Sequence, residues 1–159
     1  MDNTQNYLLI LEQSLNKKIN ILSELERLTQ VQKDIISKEQ FDEDAFNDTL
    51  EKKSSQIEEI ERLDKGFQIL YDNVKAQIEN NRQNYSSEIQ RLQTMIKTIT
   101  DKSAALMVME NQNKEQVTKR FATLKKEARQ IKKNRNVAAN YYKSMNNISS
   151  EPYFLDKKK

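Results

Sequence analysis

The sequence predicts an all-α protein, an elongated antiparallel three-helix bundle or coiled coil with a long C-terminal helix. The chain of 159 residues contains one glycine and one proline, whereas a β-rich domain needs several such residues for its turns. Charged residues make up 32% of the chain and hydrophobic residues 36%, so each element can bury only a narrow stripe. Apolar residues recur at steps of three and four along most of the sequence, which is the pattern of amphipathic helices.

The first helix is expected over about 4–36. A polar stretch at 37–42 then predicts a turn, with Asp42 as the N-cap of the next helix. Phe41 and Phe46 flank this cap at the spacing of a hydrophobic staple. The apolar stripe of the first helix contains Leu8, Leu11, Leu15, Ile19, Leu22, Leu25, Leu28, Val31 and Ile35.

The second helix is expected over about 42–79. Lys53 occupies a seam position, and we consider two interpretations: its stem lies along the seam with the ammonium in water, or it makes a register or partner contact. Gly66 leaves the phase of the stripe unchanged, so the helix should continue through it at a cost of roughly 1 kcal/mol. The stripe contains Phe46, Leu50, Lys53, Ile57, Ile60, Leu63, Phe67, Leu70, Val74 and Ile78.

The third helix is expected over about 85–145, a rod about 90 Å long that must pack sideways against other helices. Glu110 and Asn113 occupy seam positions and are candidates for polar residues that specify register. The remaining stripe positions are Tyr85, Ile89, Leu92, Ile96, Ile99, Ser103, Leu106, Val117, Phe121, Leu124, Ala128, Ile131, Arg135, Ala138, Tyr142 and Met145.

Asparagines at 80–84 favour a turn between the second and third helices. The helical phase also continues through this stretch, so one helix over 42–145 is an alternative. We favour the turn because folding back gives each polar helix a partner stripe within the chain. Residues 1–145 would then form one helical domain. The Asn/Ser run and Pro152 should stop the last helix, so we expect 146–159, which contains them, to be a flexible tail.

Charge is distributed unevenly along the chain. The first 80 residues contain 10 basic and 17 acidic residues, whereas the other 79 contain 17 basic and 7 acidic residues. Acidic residues concentrate at 39–64 and basic residues at 114–135. Antiparallel folding brings 42–64 beside about 100–122 and leaves 125–145 as a basic overhang. The basic stretch 114–135 has Phe121 as its one interleaved aromatic residue and a thin apolar face, and the whole chain has a net charge of only +3. These features favour neither a nucleic-acid nor a membrane partner.

The composition lacks the residues that most catalytic sites need, so we do not expect an enzyme. The chain has no cysteine, histidine or tryptophan, which removes the usual zinc ligands, the thiol nucleophile and the imidazole base. A single glycine cannot build a phosphate-binding loop. We therefore expect no catalytic residue, no metal and no cofactor. No stretch approaches the ~20 apolar residues that span a bilayer, and the N-terminus lacks the pattern of a signal peptide. The expected location is the cytoplasm.

Three stretches together resemble FlgN-type flagellar export chaperones, with the FliT type as a near relative. The first runs from Lys53 through Ile57, Ile60 and Leu63 to Gly66-Phe67. The second runs from Tyr85 through Ile89 and Leu92 to Met109-Glu110-Asn111-Gln112-Asn113. The third is Val137-Ala138-Ala139-Asn140-Tyr141-Tyr142-Lys143-Ser144-Met145, with Phe154-Leu155-Asp156-Lys157-Lys158 near the end.

The resemblance implies a cytosolic chaperone of type III flagellar export that holds hook-filament junction proteins, also called hook-associated proteins. Such a chaperone binds a terminal helical segment of its client through its own C-terminal part, and a component of the export apparatus is a further expected partner. The basic stretch at 114–135 departs from the family pattern.

The predicted overhang carries an apolar edge that can accept an amphipathic partner helix. The alternative interpretation is that the apolar residues of the edge close the end of the bundle or of a homodimer. The apolar triplet Tyr153-Phe154-Leu155 in the tail either folds back on the bundle, binds a partner or stays loose. A structural coiled-coil scaffold or self-associating adaptor is the alternative function. The candidate partner-binding residues are Ile131, Val137, Ala138, Tyr141, Tyr142, Met145 and Phe154.

Overall fold

The computed structural model describes residues 3–123 and 136–145, and these residues form an all-helical bundle. Its helices are α1 (Asn3–Ser37), α2 (Glu43–Asn80), α3 (Ser86–Thr123) and α4 (136–145). The chain runs up, down and up through α1, α2 and α3, and α1 packs against both of the others. Since these three helices are 35 to 38 residues long, the bundle extends for about 55 Å along its axis.

The turn between α1 and α2 has the predicted cap and staple. The Asp42 carboxylate accepts a hydrogen bond of 3.0 Å from the backbone N–H of Ala45, so it satisfies a donor in the first turn of α2. The rings of Phe41 and Phe46 lie on either side of the cap with centroids 5.4 Å apart. Both predictions are confirmed.

The predicted fold-back at 80–84 is also confirmed, and the alternative of one helix over 42–145 is wrong. α2 ends where the backbone N–H of Asn81 donates to the Ile78 carbonyl oxygen at 3.3 Å. A short 3-10 turn over Arg82–Tyr85 then leads directly into α3. The asparagines therefore act as the turn residues that their local chemistry favours.

Contacts between the helices fix their alignment. The rings of Phe46 and Phe121 are 5.8 Å apart, and Lys53 contacts Glu110, so α2 and α3 are antiparallel in the predicted alignment of 42–64 with 100–122. α3 runs parallel to α1, because Arg91 Nε donates to Glu12 at 2.8 Å and, further along both helices, Lys102 Nζ donates to the Ser23 hydroxyl at 3.1 Å. The core runs along the whole three-helix part of the bundle.

Two stripe positions on α1 differ from the prediction. Val31 is exposed, and Ile19 is only partly buried. Lys18 is buried instead, because it shares the helical phase of Leu15 and Leu22, and its ammonium reaches the edge of the seam. There it donates to both carboxylate oxygens of Asp64 on α2, at 3.0 and 3.2 Å.

The third helix departs from the prediction of one rod over 85–145. The Lys53 ammonium lies 4.4 Å from the ring centroid of Tyr141 and also contacts Glu110. In a continuous helix Tyr141 would lie about 46 Å beyond Glu110. α4 is therefore not a straight continuation of α3 but packs against α2 and α3, and 136–145 does not overhang the bundle. The rest of the predicted overhang, 125–135, and the tail 146–159 lie outside the described residues.

Gly66 lies inside α2, as the unbroken phase of the stripe predicted. A Cβ atom added there would meet no atom within 4 Å.

The Gly66→Ala substitution should therefore raise the free energy of unfolding by about 1 kcal/mol, because it removes the backbone entropy cost of glycine without a clash. Thermal unfolding should show a midpoint higher by about 2–4 °C. A lower midpoint would contradict the open space seen around this position.

Candidate functional site

A layer of buried polar side chains crosses the apolar core near the end of the bundle that contains the α1–α2 turn. We call it the polar layer. Each of α1, α2 and α3 contributes two residues to it, spaced by three or four positions so that both face the core. Its members are Thr29, Gln32, Thr49, Lys53, Glu110 and Asn113.

Lys53 is at the centre of the polar layer. Its side chain and that of Glu110 are both 0% exposed, and the ammonium lies 2.5 Å from Glu110 Oε1. The ammonium also donates to Gln32 Oε1 at 3.0 Å. The interpretation in which this ammonium reaches water is therefore wrong. Its contacts with Glu110 on α3 and Gln32 on α1 agree with the interpretation as a register contact.

The other members connect this ion pair to α1. Asn113 Nδ2 donates to the Thr29 carbonyl oxygen at 2.9 Å and to Gln32 Oε1 at 3.2 Å. The Thr29 hydroxyl lies 3.1 Å from Glu110 Oε1. Gln32 Nε2 in turn lies 3.2 Å from the hydroxyl oxygen of Thr49, to which it donates. All three helices are thus joined at one level by buried hydrogen bonds, which are strong where one partner is charged.

α4 lies against the polar layer through its two tyrosines. The Tyr141 ring faces the Lys53 ammonium, and the Tyr142 ring lies 5.6 Å from the Lys114 ammonium, so both rings make cation–π contacts. The two rings are 5.3 Å apart and nearly perpendicular. The Tyr141 hydroxyl is 3.9 Å from the sulfur of Met145, which is fully buried.

The candidate partner-binding residues therefore divide into three groups. Ala138, Tyr141, Tyr142 and Met145 are buried against the bundle, as in the interpretation that they close its end. Val137 is 37% exposed at the border of the buried face of α4. Ile131 and Phe154 lie outside the described residues.

Burial dominates the electrostatics around α4. It lowers the pKa of Lys53, and the neighbouring charge of Glu110 opposes that shift. It raises the pKa of both Tyr141 and Tyr142 well above the usual range, and the charge of Glu110 adds to the effect. Both phenols therefore stay protonated in the folded protein at pH values where an unfolded chain ionises them.

This difference predicts a loss of stability at alkaline pH. Above about pH 10 the unfolded chain releases the two phenolic protons and the folded chain keeps them, so each tyrosine lowers stability by up to about 1.4 kcal/mol per pH unit. Lys53 acts in the opposite direction, but its effect is complete once pH passes the unfolded value of about 10.4. The Y141F/Y142F variant should lose stability less steeply than wild type in urea titrations between pH 9 and 11.5. Parallel curves would contradict the burial of these phenols.

Sequence reasoning found the positions of Lys53, Glu110 and Asn113 but not their partnership. The predicted antiparallel alignment already placed positions 53 and 110 at the same level, and two opposite charges in one seam were the signal. Thr29, Gln32 and Thr49 were missed, because an uncharged polar residue on a helix gives no sign of being buried until its partner is known. The sequence contained no indication of the contacts of α4, since its apolar stripe is the same whether the third helix continues straight or α4 packs against the bundle.

Within 3–123 and 136–145, no cluster of three or more acidic side chains suited to a metal ion occurs. No helix in these ranges has the length and apolar character needed to cross a membrane. Comparison of the chain with protein-family models, with curated proteins and with solved structures finds no match.

Proposed function

We propose that this chain is a cytosolic chaperone of flagellar type III export that binds hook-filament junction proteins through its C-terminal helix. The proposal rests on the three sequence stretches that resemble FlgN-type chaperones. One structural observation supports a binding module over a scaffold: the apolar stripes of α1, α2 and α3 are buried within a single chain. A scaffold that assembles as a coiled coil would keep such a stripe for a second chain.

The burial of four candidate residues narrows the proposed client surface. Ala138, Tyr141, Tyr142 and Met145 hold α4 against the bundle, so the client contacts an exposed side of this helix that borders the buried face. Val137 and Asn140 are exposed there, and Ser144 is partly exposed. Since these three residues follow steps of three and four, they form one face that an amphipathic client helix can lie along.

The test is co-purification with the hook-filament junction proteins encoded in the same genome. Wild type should retain one of them in a one-to-one complex, and Val137→Asp should weaken binding by about tenfold or more, because a charge would be buried at the contact. Two matched controls are Val31→Asp and Val108→Asp, which change valines that are 37% and 58% exposed on α1 and α3. Both should bind like wild type.

Two outcomes would contradict parts of the proposal. If wild type binds none of these proteins, the chaperone function loses its support. If Val137→Asp binds as tightly as wild type, the client does not use the exposed face of α4.

A self-associating adaptor is the second candidate function, and one observation favours it. Leu9 and Ile10 are both about half exposed near the start of α1, close to the exposed Tyr7. Light scattering of the purified protein without a client distinguishes the two functions. A stable oligomer that dissociates in a Leu9→Ser/Ile10→Ser variant supports the adaptor, and a monomer supports the chaperone.

A further inference from the structure

We infer that the polar layer sets the axial alignment of the three long helices. The inference concerns how the bundle chooses one packing among several similar ones, and it stands independently of the proposed function. The polar layer is suited to this role because it joins all three helices at a single level and because its central ion pair has no contact with water.

The apolar stripes of the helices and the turn between α2 and α3 leave this alignment open. Apolar residues follow one another along α2 and α3 at similar spacing, so sliding α3 by one heptad still places apolar side chains opposite each other. The turn can also move, since asparagines occur at 80, 81 and 84 and each tolerates a turn. If the turn between two antiparallel helices moves by three or four residues, each residue of one helix faces a position about seven residues further along the other.

The polar layer removes this freedom. If α3 slid by one heptad in one direction, Lys53 would face Val117 and Glu110 would face Ile60. In the other direction, Lys53 would face Ser103 and Glu110 would face Phe46. Each of these facing positions is buried, so either slip would leave two unpaired charges inside the core, which is strongly unfavourable.

The same argument predicts that the polar layer contributes alignment rather than stability. Buried ion pairs replaced as a whole by apolar residues of similar size often leave a protein equally or more stable. A variant in which Gln32→Leu, Lys53→Met, Glu110→Leu and Asn113→Leu are combined should therefore unfold at the same or a higher temperature than wild type. It should also populate more than one alignment.

Spin labels at Glu51 and Lys97, both exposed, measure the alignment. These positions are offset along the bundle axis by about 22 Å, and a slip of one heptad changes the offset by about 10 Å. The chain has no cysteine, so both labels can be attached through introduced cysteines without background. Wild type should give one narrow distance, and the four-residue apolar variant should give two or more distances.

Two controls separate alignment from ion pairing in general. The K18M/D64L variant removes an ion pair at the edge of the seam and should keep the single wild-type distance. In the reversed pair K53E/E110K the two charges still meet in only one alignment, so this variant should also keep the single wild-type distance. Several distances in the reversed pair would contradict the inference.

A single wild-type distance in the four-residue apolar variant would overturn the inference. Failure of that variant to fold would also overturn it, because the polar layer would then supply stability.

Discussion

Replacing Lys53 with methionine should lower the free energy of unfolding by about 3–5 kcal/mol. The substitution keeps the length of the side chain but leaves the Glu110 carboxylate in the core without its cation, and an uncompensated buried charge has a cost of this size. It also removes a donor to Gln32 and the cation that faces the Tyr141 ring. Urea denaturation monitored by circular dichroism measures the effect directly.

The neighbouring lysine is a matched control for this experiment. Lys52 has a side chain that is 60% exposed and pairs with Asp48 on the surface of α2. Since exposed pairs contribute about 0–1 kcal/mol, Lys52→Met should change stability little. Adding Glu110→Leu to Lys53→Met should restore much of the loss, because it removes the orphaned charge. Equal losses from the two lysine substitutions would show that Lys53 is not buried with Glu110.

Local patterns in the sequence were enough to predict most of the three-helix bundle. The helix ends at 36 and 79 were each predicted within one residue of the observed ends at Ser37 and Asn80. These ends depend on short-range chemistry, namely the Asp42 cap and the asparagine turn, which acts within a few residues of the chain. Such effects are visible in a single sequence because every participant is a near neighbour.

Interactions between distant segments were predicted less well, and Lys53 and α4 show why. The free-energy cost of burying the Lys53 ammonium depends on whether the Glu110 carboxylate, 57 positions away in the sequence, reaches it. The sequence around Lys53 alone is equally compatible with an ammonium that lies in water. In α4, Tyr141, Tyr142 and Met145 form a regular apolar face that predicts a buried side but not which surface covers it. The candidate site was therefore found as a set of residues, whereas the assignment of each to the core or to a partner required the structure.

Phe46→Ala is the second substitution for which we expect a large effect, a loss of about 3–5 kcal/mol, as is usual when a fully buried aromatic side chain is truncated. Phe46 is 0% exposed and lies between two other rings, Phe41 at 5.4 Å and Phe121 at 5.8 Å. Phe41 and Phe121 also contact each other edge to face at 5.8 Å. Such aromatic pairs contribute about 0.5–1.5 kcal/mol beyond the area they bury. The sequence predicted the staple between Phe41 and Phe46, and the structure adds Phe121 as the third ring.

The three rings connect the α1–α2 turn, the start of α2 and the described end of α3, so the effect of Phe46→Ala should be concentrated there. The thermal midpoint should fall by about 6–20 °C, given about 2–4 °C per kcal/mol for a chain of this size. Hydrogen exchange should accelerate most in the first turns of α2 and near Phe121, because these turns lose their shared packing. Tyr7→Ala, which truncates an exposed ring on α1, serves as the control and should shift the midpoint far less. A similar fall in both variants would mean that the aromatic cluster does not hold this end of the bundle together.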